Sequence, residues 1–246
     1  MRSASSSHLN RVTPPLEEIS RIWTSLRQID WDYISTFIGV VPLLSTRRVD
    51  WNILGAAVTF WDPIHAVFNI QGIEFTPTIE EYQTLISRTA VACGIVEPNL
   101  RTTRPALVSR LLRVHRSQLH AELAYSGGTE IVTTKLFRFI DSQTREVRGD
   151  SFQKNLCHAV LLLIFRTLLF PCAVDRLDAA LASVVLQVVG GREYEVALVV
   201  ETIWFLDRVT RTADHRLRGS LILIWLQSHA NPFSLVRLAL FFNRSE

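Results

Sequence analysis

Five arginines crowd one short stretch of this 246-residue chain, where Arg101, Arg104, Arg110, Arg113 and Arg116 surround an apolar set of Leu107, Val108, Leu111 and Leu112. Guanidinium groups are planar, permanently charged donors that suit phosphate and carboxylate. Arg110, Arg113 and Arg116 step by three, which on one helix makes a slowly drifting stripe. Residues 101–148 hold nine basic against four acidic side chains, whereas residues 1–100 carry a net −3 and residues 149–246 a net +1. A phosphate-contacting face has this composition. A solvated helix face has it too, and no aromatic stacking partner or known nucleic-acid motif accompanies it. Arginine outnumbers lysine 24 to 2 over the whole chain, an imbalance that codon usage alone can produce.

Other chemistries find less. Cys157 and His158 are adjacent, so on a helix their side chains diverge by about 100°, the wrong geometry for a thiolate–imidazole pair; Cys157 reads as a buried structural residue. The seven histidines (8, 65, 115, 120, 158, 215 and 229) form no H-E-x-x-H and no zinc spacing with Cys93, Cys157 or Cys172. Three scattered cysteines without a C-x-x-C pair suit a reducing compartment. Phosphate loops of the G-x-x-x-x-G-K-[ST] or G-x-G-x-x-G type and a G-x-S-x-G elbow are missing from the sequence. No metal, cofactor or small-molecule ligand is expected, and the reading is non-enzymatic.

The elements that would position these residues are helical. With 48% apolar residues the chain can support a packed interior. Thr13-Pro14-Pro15 opens a first helix with Glu17 and Glu18 in its first turn and Ile19, Ile22, Trp23, Leu26 and Ile29 at helical spacing. Shorter helices follow over Asp32–Ile38 and about Val49–Phe60, the latter ending before Trp61-Asp62-Pro63. Residues 66–70 and 73–76 are β-favouring runs around Gln71-Gly72, a hairpin. Thr78-Ile-Glu-Glu81 is a capping-box pattern that opens a helix over Ile79–Ser87. Further helices are expected over Pro105–His115 and Glu130–Asp141, then a polar loop over Ser142–Asp150. The apolar second half predicts helices over Phe152–Phe170, Leu177–Val189, Glu195–Thr210 and Arg216–Ser228, with Gly190-Gly191 as a helix stop. The fold class is therefore mainly α, a multi-helix globular domain with one small β-hairpin. His158 and Arg166 interrupt the longest apolar run, which falls short of the roughly 20 residues a membrane span needs. The polar, Ser-rich opening lacks the apolar core of a secretory signal.

The succession Phe60-Trp-Asp-Pro63, Phe68 and Ile73-Glu-Phe-Thr-Pro-Thr-Ile-Glu-Glu-Tyr82 resembles the signature stretch of the plant mobile domain families, closest to their retroelement-associated branch. Leu168-Leu-Phe-Pro171, Glu201-Thr-Ile-Trp-Phe-Leu-Asp207 and Leu223-Ile-Trp-Leu-Gln-Ser-His229 agree in order. The likeness spans roughly residues 15–232, leaving 1–14 as a tail and 233–246 as a divergent end, which suggests a truncated copy. Within it Trp61, Asp62, Pro63, Pro77, Thr78, Glu80, Glu81 and Tyr82 are read as structural motif residues. The resemblance implies a transposon-derived interaction module with protein partners, nuclear in location with the cytoplasm as the alternative, and linked to transposon silencing. An older label of this family, aminotransferase-like, implies a Schiff-base lysine beside a phosphate site. Lys135 and Lys154 are the only lysines, and neither has a Gly-rich phosphate loop beside it. Nucleic-acid binding through the Arg101–Arg116 face is the second reading, an enzyme of unknown type the third, and a non-functional mobile-element fragment the fourth.

Overall fold

Every residue from Leu156 to Ile164 is buried, and the helix that carries them is the axis of the molecule. The computed structural model describes residues 16–39, 51–91, 93–97, 99, 103–123, 130–146, 153–171, 176–178, 180–211 and 220–230. In chain order these form α1 (Leu16–Ser25), α2 (Gln28–Ile38), α3 (Trp51–Val58), β1 (Trp61–Asp62), β2 (Val67–Ile70), β3 (Ile73–Phe75), α4 (Ile79–Ile86) and α5 (Arg104–Leu112). There follow a 3₁₀ turn (Arg116–Gln118), α6 (Leu119–Leu123), β4 (Glu130–Val132), α7 (Thr133–Glu146), α8 (Lys154–Ile164) and a π-helical turn (Phe165–Leu169). The remainder is β5 (Arg176–Asp178), α9 (Leu181–Val189), α10 (Glu195–Arg211) and α11 (Ser220–Ala230). The fold is mainly α, with a small three-stranded antiparallel sheet.

Helices α2, α5, α7 and α9 pack around α8, which has no polar face to give to water. Helices α10 and α11 pack on α4, and the three-stranded sheet, ordered β1-β2-β3, lies beside α10. The β2–β3 hairpin pairs Phe68 with Phe75 and Ile70 with Ile73 around Gln71 and Gly72, both at positive φ, as the turn signal requires. The capping box is present: Thr78 Oγ1 accepts from the Glu81 N–H at 3.2 Å, and Glu81 Oε2 accepts from the Thr78 N–H at 2.9 Å. Gly190 caps α9, and Gly191 follows at φ +92°.

Two ion pairs neutralise fully buried carboxylates. Arg27 donates from Nε and Nη2 to the fully buried Asp30 carboxylate at 2.7 and 3.0 Å, and the Gln153 N–H before α8 approaches Asp30 Oδ1 at 3.5 Å. Arg88, just after α4, meets the fully buried Glu195 at 2.6 Å, while Glu195 Oε2 also accepts from the Tyr194 N–H. Gly39, at φ +50°, ends α2 so close to the end of α4 that a Cβ there would lie 1.9 Å from Ile86 O. Only glycine fits that crossing.

Several sequence expectations are corrected. The first helix ends at Ser25, so Leu26 and Ile29 do not continue its stripe, and α2 begins at Gln28 rather than Asp32. Trp61-Asp62 is not merely a helix-ending turn but a strand that pairs with β2. Glu130–Val132 is a strand pairing with Arg176–Asp178, not the start of a helix, and α7 continues through Glu146 into the stretch read as loop. The helix expected over Phe152–Phe170 changes to π-helical geometry at Phe165. The helix expected from Leu177 begins at Leu181; the helix expected from Arg216 is described over Ser220–Ala230, and its expected start at Arg216 lies outside the described residues. The tail 1–14, the end 233–246 and Arg101 lie outside the described residues.

Candidate functional site

The motif residues converge on the junction of the sheet, α4, α10 and α11. Trp61 is buried, and its indole Nε1–H donates to Asp207 Oδ1 at 2.7 Å, fixing β1 to α10. Asp62 turns the chain on the other face: Oδ1 accepts from the Ile64 N–H at 2.8 Å, and Oδ2 meets His65 Nδ1 at 2.7 Å. The hydrogen bond with His65, and then that from Ile64, hold the Asp62 carboxyl below its usual range, while Asp62 raises His65. Pro63 O accepts from Arg211 Nη2 at 3.0 Å. Pro77 is buried ahead of the Thr78 cap. Tyr82, fully buried, shares a 3.0 Å hydrogen bond with Thr202 Oγ1, and burial pushes its phenol well above the usual value.

Glu81 is the centre of the arrangement. Beyond its capping role, Oε2 accepts from Trp225 Nε1–H at 2.9 Å, and Oε1 lies 2.9 Å from His229 Nε2. Burial opposes its ionisation, but the donors Trp225 and Thr78 and the His229 charge outweigh that, so its carboxyl sits below the usual range. His229 Nδ1 faces Trp225 O at 2.9 Å, so the ring is held between α4 and its own helix. Below this lies a run of aromatic contacts. Trp61 meets Phe68 edge-on at 4.9 Å, Phe68 and Phe75 each stack near Trp225 at 5.8 and 5.7 Å, and His229 tilts on Trp225 at 4.3 Å. Such pairs add to the stabilisation given by area burial alone.

Above it an open cleft of about 370 Å³ runs between α4 and α11. Glu80, Glu81 and Thr84 line one side, and Trp225, Ser228 and His229 the other. Glu80, read from the sequence only as a motif residue, points its exposed carboxylate to this cleft rather than into the junction.

The arginine face is divided by the backbone. Helix α5 ends at Leu112, and Arg113 adopts the left-handed conformation at φ +56°. Arg110 therefore belongs to the helix, Arg113 to its cap and Arg116 to the following 3₁₀ turn. The three are exposed but do not form the continuous helical stripe that their spacing suggested. Arg104 starts α5, and Arg116 reaches Thr103 Oγ1 at 3.4 Å. Cys157 and His158 diverge: the thiol approaches Asp30 Oδ1 at 3.6 Å and is pushed up by burial, whereas His158 Nδ1 meets Leu111 O at 3.0 Å. Among the described residues, no group of three or more His, Cys, Asp or Glu could hold a metal ion. No helix among them is long and apolar enough to cross a membrane.

Sequence reasoning quoted Thr202, Asp207, Trp225 and His229 within its later motif blocks but gave them no role. Their partners lie 120 to 148 residues away, and one sequence shows no such pairing. Together these features define a mainly α domain whose sheet and last two helices are bolted by indole–carboxylate bonds. The chain belongs to the family described as "Domain of unknown function (DUF7745)", whose model matches residues 22–233. No curated protein and no solved structure matches it.

Proposed function

We propose that this chain is a non-enzymatic protein-interaction module, transposon-derived and acting in nuclear transposon silencing. The observation that carries the interaction reading is the outer face of α10. Trp204 is 56% exposed and Val200 60% exposed, one helical turn apart on a 17-residue helix. The Arg208 guanidinium lies 5.5 Å from the Trp204 ring centroid. Tryptophan and arginine are enriched where proteins bind one another, and a rigid helix presents them at little entropic cost. By contrast, the polar groups of Trp61 and Tyr82 are spent on bonds between elements. The resemblance of the Trp61–Pro63 and Ile73–Tyr82 blocks to plant mobile domain proteins supports the transposon and nuclear parts.

Affinity capture from plant nuclei tests the reading. Wild-type protein is expected to recover silencing or chromatin proteins, and Trp204→Ala to lose them while keeping its fold. Equal recovery by both, or recovery of neither class, overturns it.

Exposed Arg110, Arg113 and Arg116 favour a second reading, nucleic-acid binding. It requires affinity that falls steeply with salt and is lost in the triple Ala variant. No mobility shift at low salt removes it.

A further inference from the structure

We propose that the cleft between α4 and α11 receives a basic side chain, arginine or lysine, of a partner polypeptide, with Glu80 and Glu81 as its carboxylate receptors. The inference rests on the interaction-module reading and adds a partner chemistry to it. Three features of the cleft lead there.

The first is its electrostatics. Glu80 and Glu81 are successive residues in the first turn of α4, and both line the cleft. Among the described residues lining it, His229 is the one basic group, and it faces Glu81 Oε1. Among the described residues no cation pairs with Glu80. The described walls therefore carry two carboxylates, of which only Glu81 has a basic partner.

The second is preorganisation. Glu81 Oε2 takes three donors, Thr78 N–H, Thr78 Oγ1–H and Trp225 Nε1–H, which lock the carboxylate plane. A carboxylate offers about four lone-pair sites, and Oε1 has accepted one bond here. Its remaining lone pair needs no rearrangement to accept an incoming N–H. Thr84 and Ser228 supply hydroxyl oxygens on opposite walls for the other hydrogens of a guanidinium or ammonium.

The third is shape. The volume of about 370 Å³ lies within the range of sites that enclose a small organic group. Leu85 also lines the cleft and gives an apolar surface for the methylene stem, which arginine and lysine bury while their charged ends are paired. An acidic side chain would meet like charge at Glu80, and a neutral apolar one would strip water from two carboxylates without replacing it.

The test follows the Trp225 indole N–H and the His229 ring by NMR in the full chain, because both touch Glu81. The probes are a blocked Gly-Arg-Gly-Gly peptide, the same peptide with neutral citrulline in place of arginine, and free agmatine. The arginine peptide is expected to shift both signals saturably, and the citrulline peptide to leave them in place. Glu80→Gln should weaken the arginine peptide about tenfold, the loss expected for one charge-assisted hydrogen bond. Its unshifted Trp225 signal in the free protein reports an intact fold. The proposal is overturned if the two peptides behave alike, if Glu80→Gln changes nothing, or if no signal moves. Agmatine binding as tightly as the peptide overturns the partner-polypeptide source. Failure here leaves partner capture through Trp204 standing, so the two readings fail separately.

Discussion

Trp225 donates its indole N–H to Glu81 Oε2 at 2.9 Å, across 144 residues of sequence. The oxygen that receives it already closes the capping box at the start of α4. One carboxylate thus ends a secondary structure and bolts a distant helix to it, which is why α11 and the hairpin share an aromatic interior.

Trp225→Phe removes the donor and shrinks a buried ring, so a double-mutant cycle is needed to isolate this bond. The variant is expected to lower the unfolding free energy by more than about 1 kcal/mol, the hydrogen bond's share plus the loss of packing. In a double-mutant cycle with Glu81→Gln, the two losses should fall short of additivity by at least about 0.5 kcal/mol. Urea unfolding of the four proteins measures this, and strict additivity would disprove the coupling.

Acid should act on the same carboxylate. Its pKa in the folded chain lies below the usual value of about 4.3. Its contribution is therefore complete above that unfolded value and is lost as the pH falls through the lower folded one. Wild-type stability should drop more between pH 6 and pH 3 than that of Glu81→Gln. Parallel acid limbs would show that Glu81 carries no such linkage.

Gly39 and Gly72, two of the glycines at positive φ, separate space from conformation. Gly39→Ala drives a methyl to within 1.9 Å of the Ile86 carbonyl oxygen and should cost more than about 3 kcal/mol or prevent folding. Gly72→Ala, at φ +83° with nothing within 4 Å, should cost only about 1–2 kcal/mol, the strain of the left-handed backbone. Thermal unfolding midpoints decide the order, and equal shifts would refute the close crossing.

How much of this could be read from one sequence depends on distance along the chain. The capping box Thr78–Glu81, the hairpin about Gln71-Gly72 and the glycine stop after α9 are local, and each was legible from neighbouring residue types. The apolar run of α8 was legible too, but not its passage into a π-helical turn at Phe165, because a run that is apolar on all sides leaves no phase to follow. Strand β4 escaped notice because its partner β5 lies more than 40 residues onward, and helical propensity alone favoured Glu130 as a helix start. The cleft was least legible. Glu80 and Glu81 looked like first-turn helix charges, and nothing local joins them to Ser228 and His229.

The pair Arg88–Glu195 gives a further measurement. Arg88→Met alone would leave Glu195 buried without its counter-charge and should cost about 3–5 kcal/mol. Replacing both by methionine should recover most of that, because the desolvation of two charges disappears with the attraction. A double variant as unstable as the single would mean that the pair is irreplaceable by apolar packing.

The long-range bonds from Trp61, Glu81 and Tyr82 all end on residues between Thr202 and His229. A ribosome makes the amino-terminal partners first and must hold them unsatisfied until the chain has emerged as far as His229. During that interval the buried faces of Trp61, Phe68 and Tyr82 have no cover from α10 or α11. Nascent chains stalled before Thr202 should therefore engage chaperones, and release of the last two helices should end that engagement in one step.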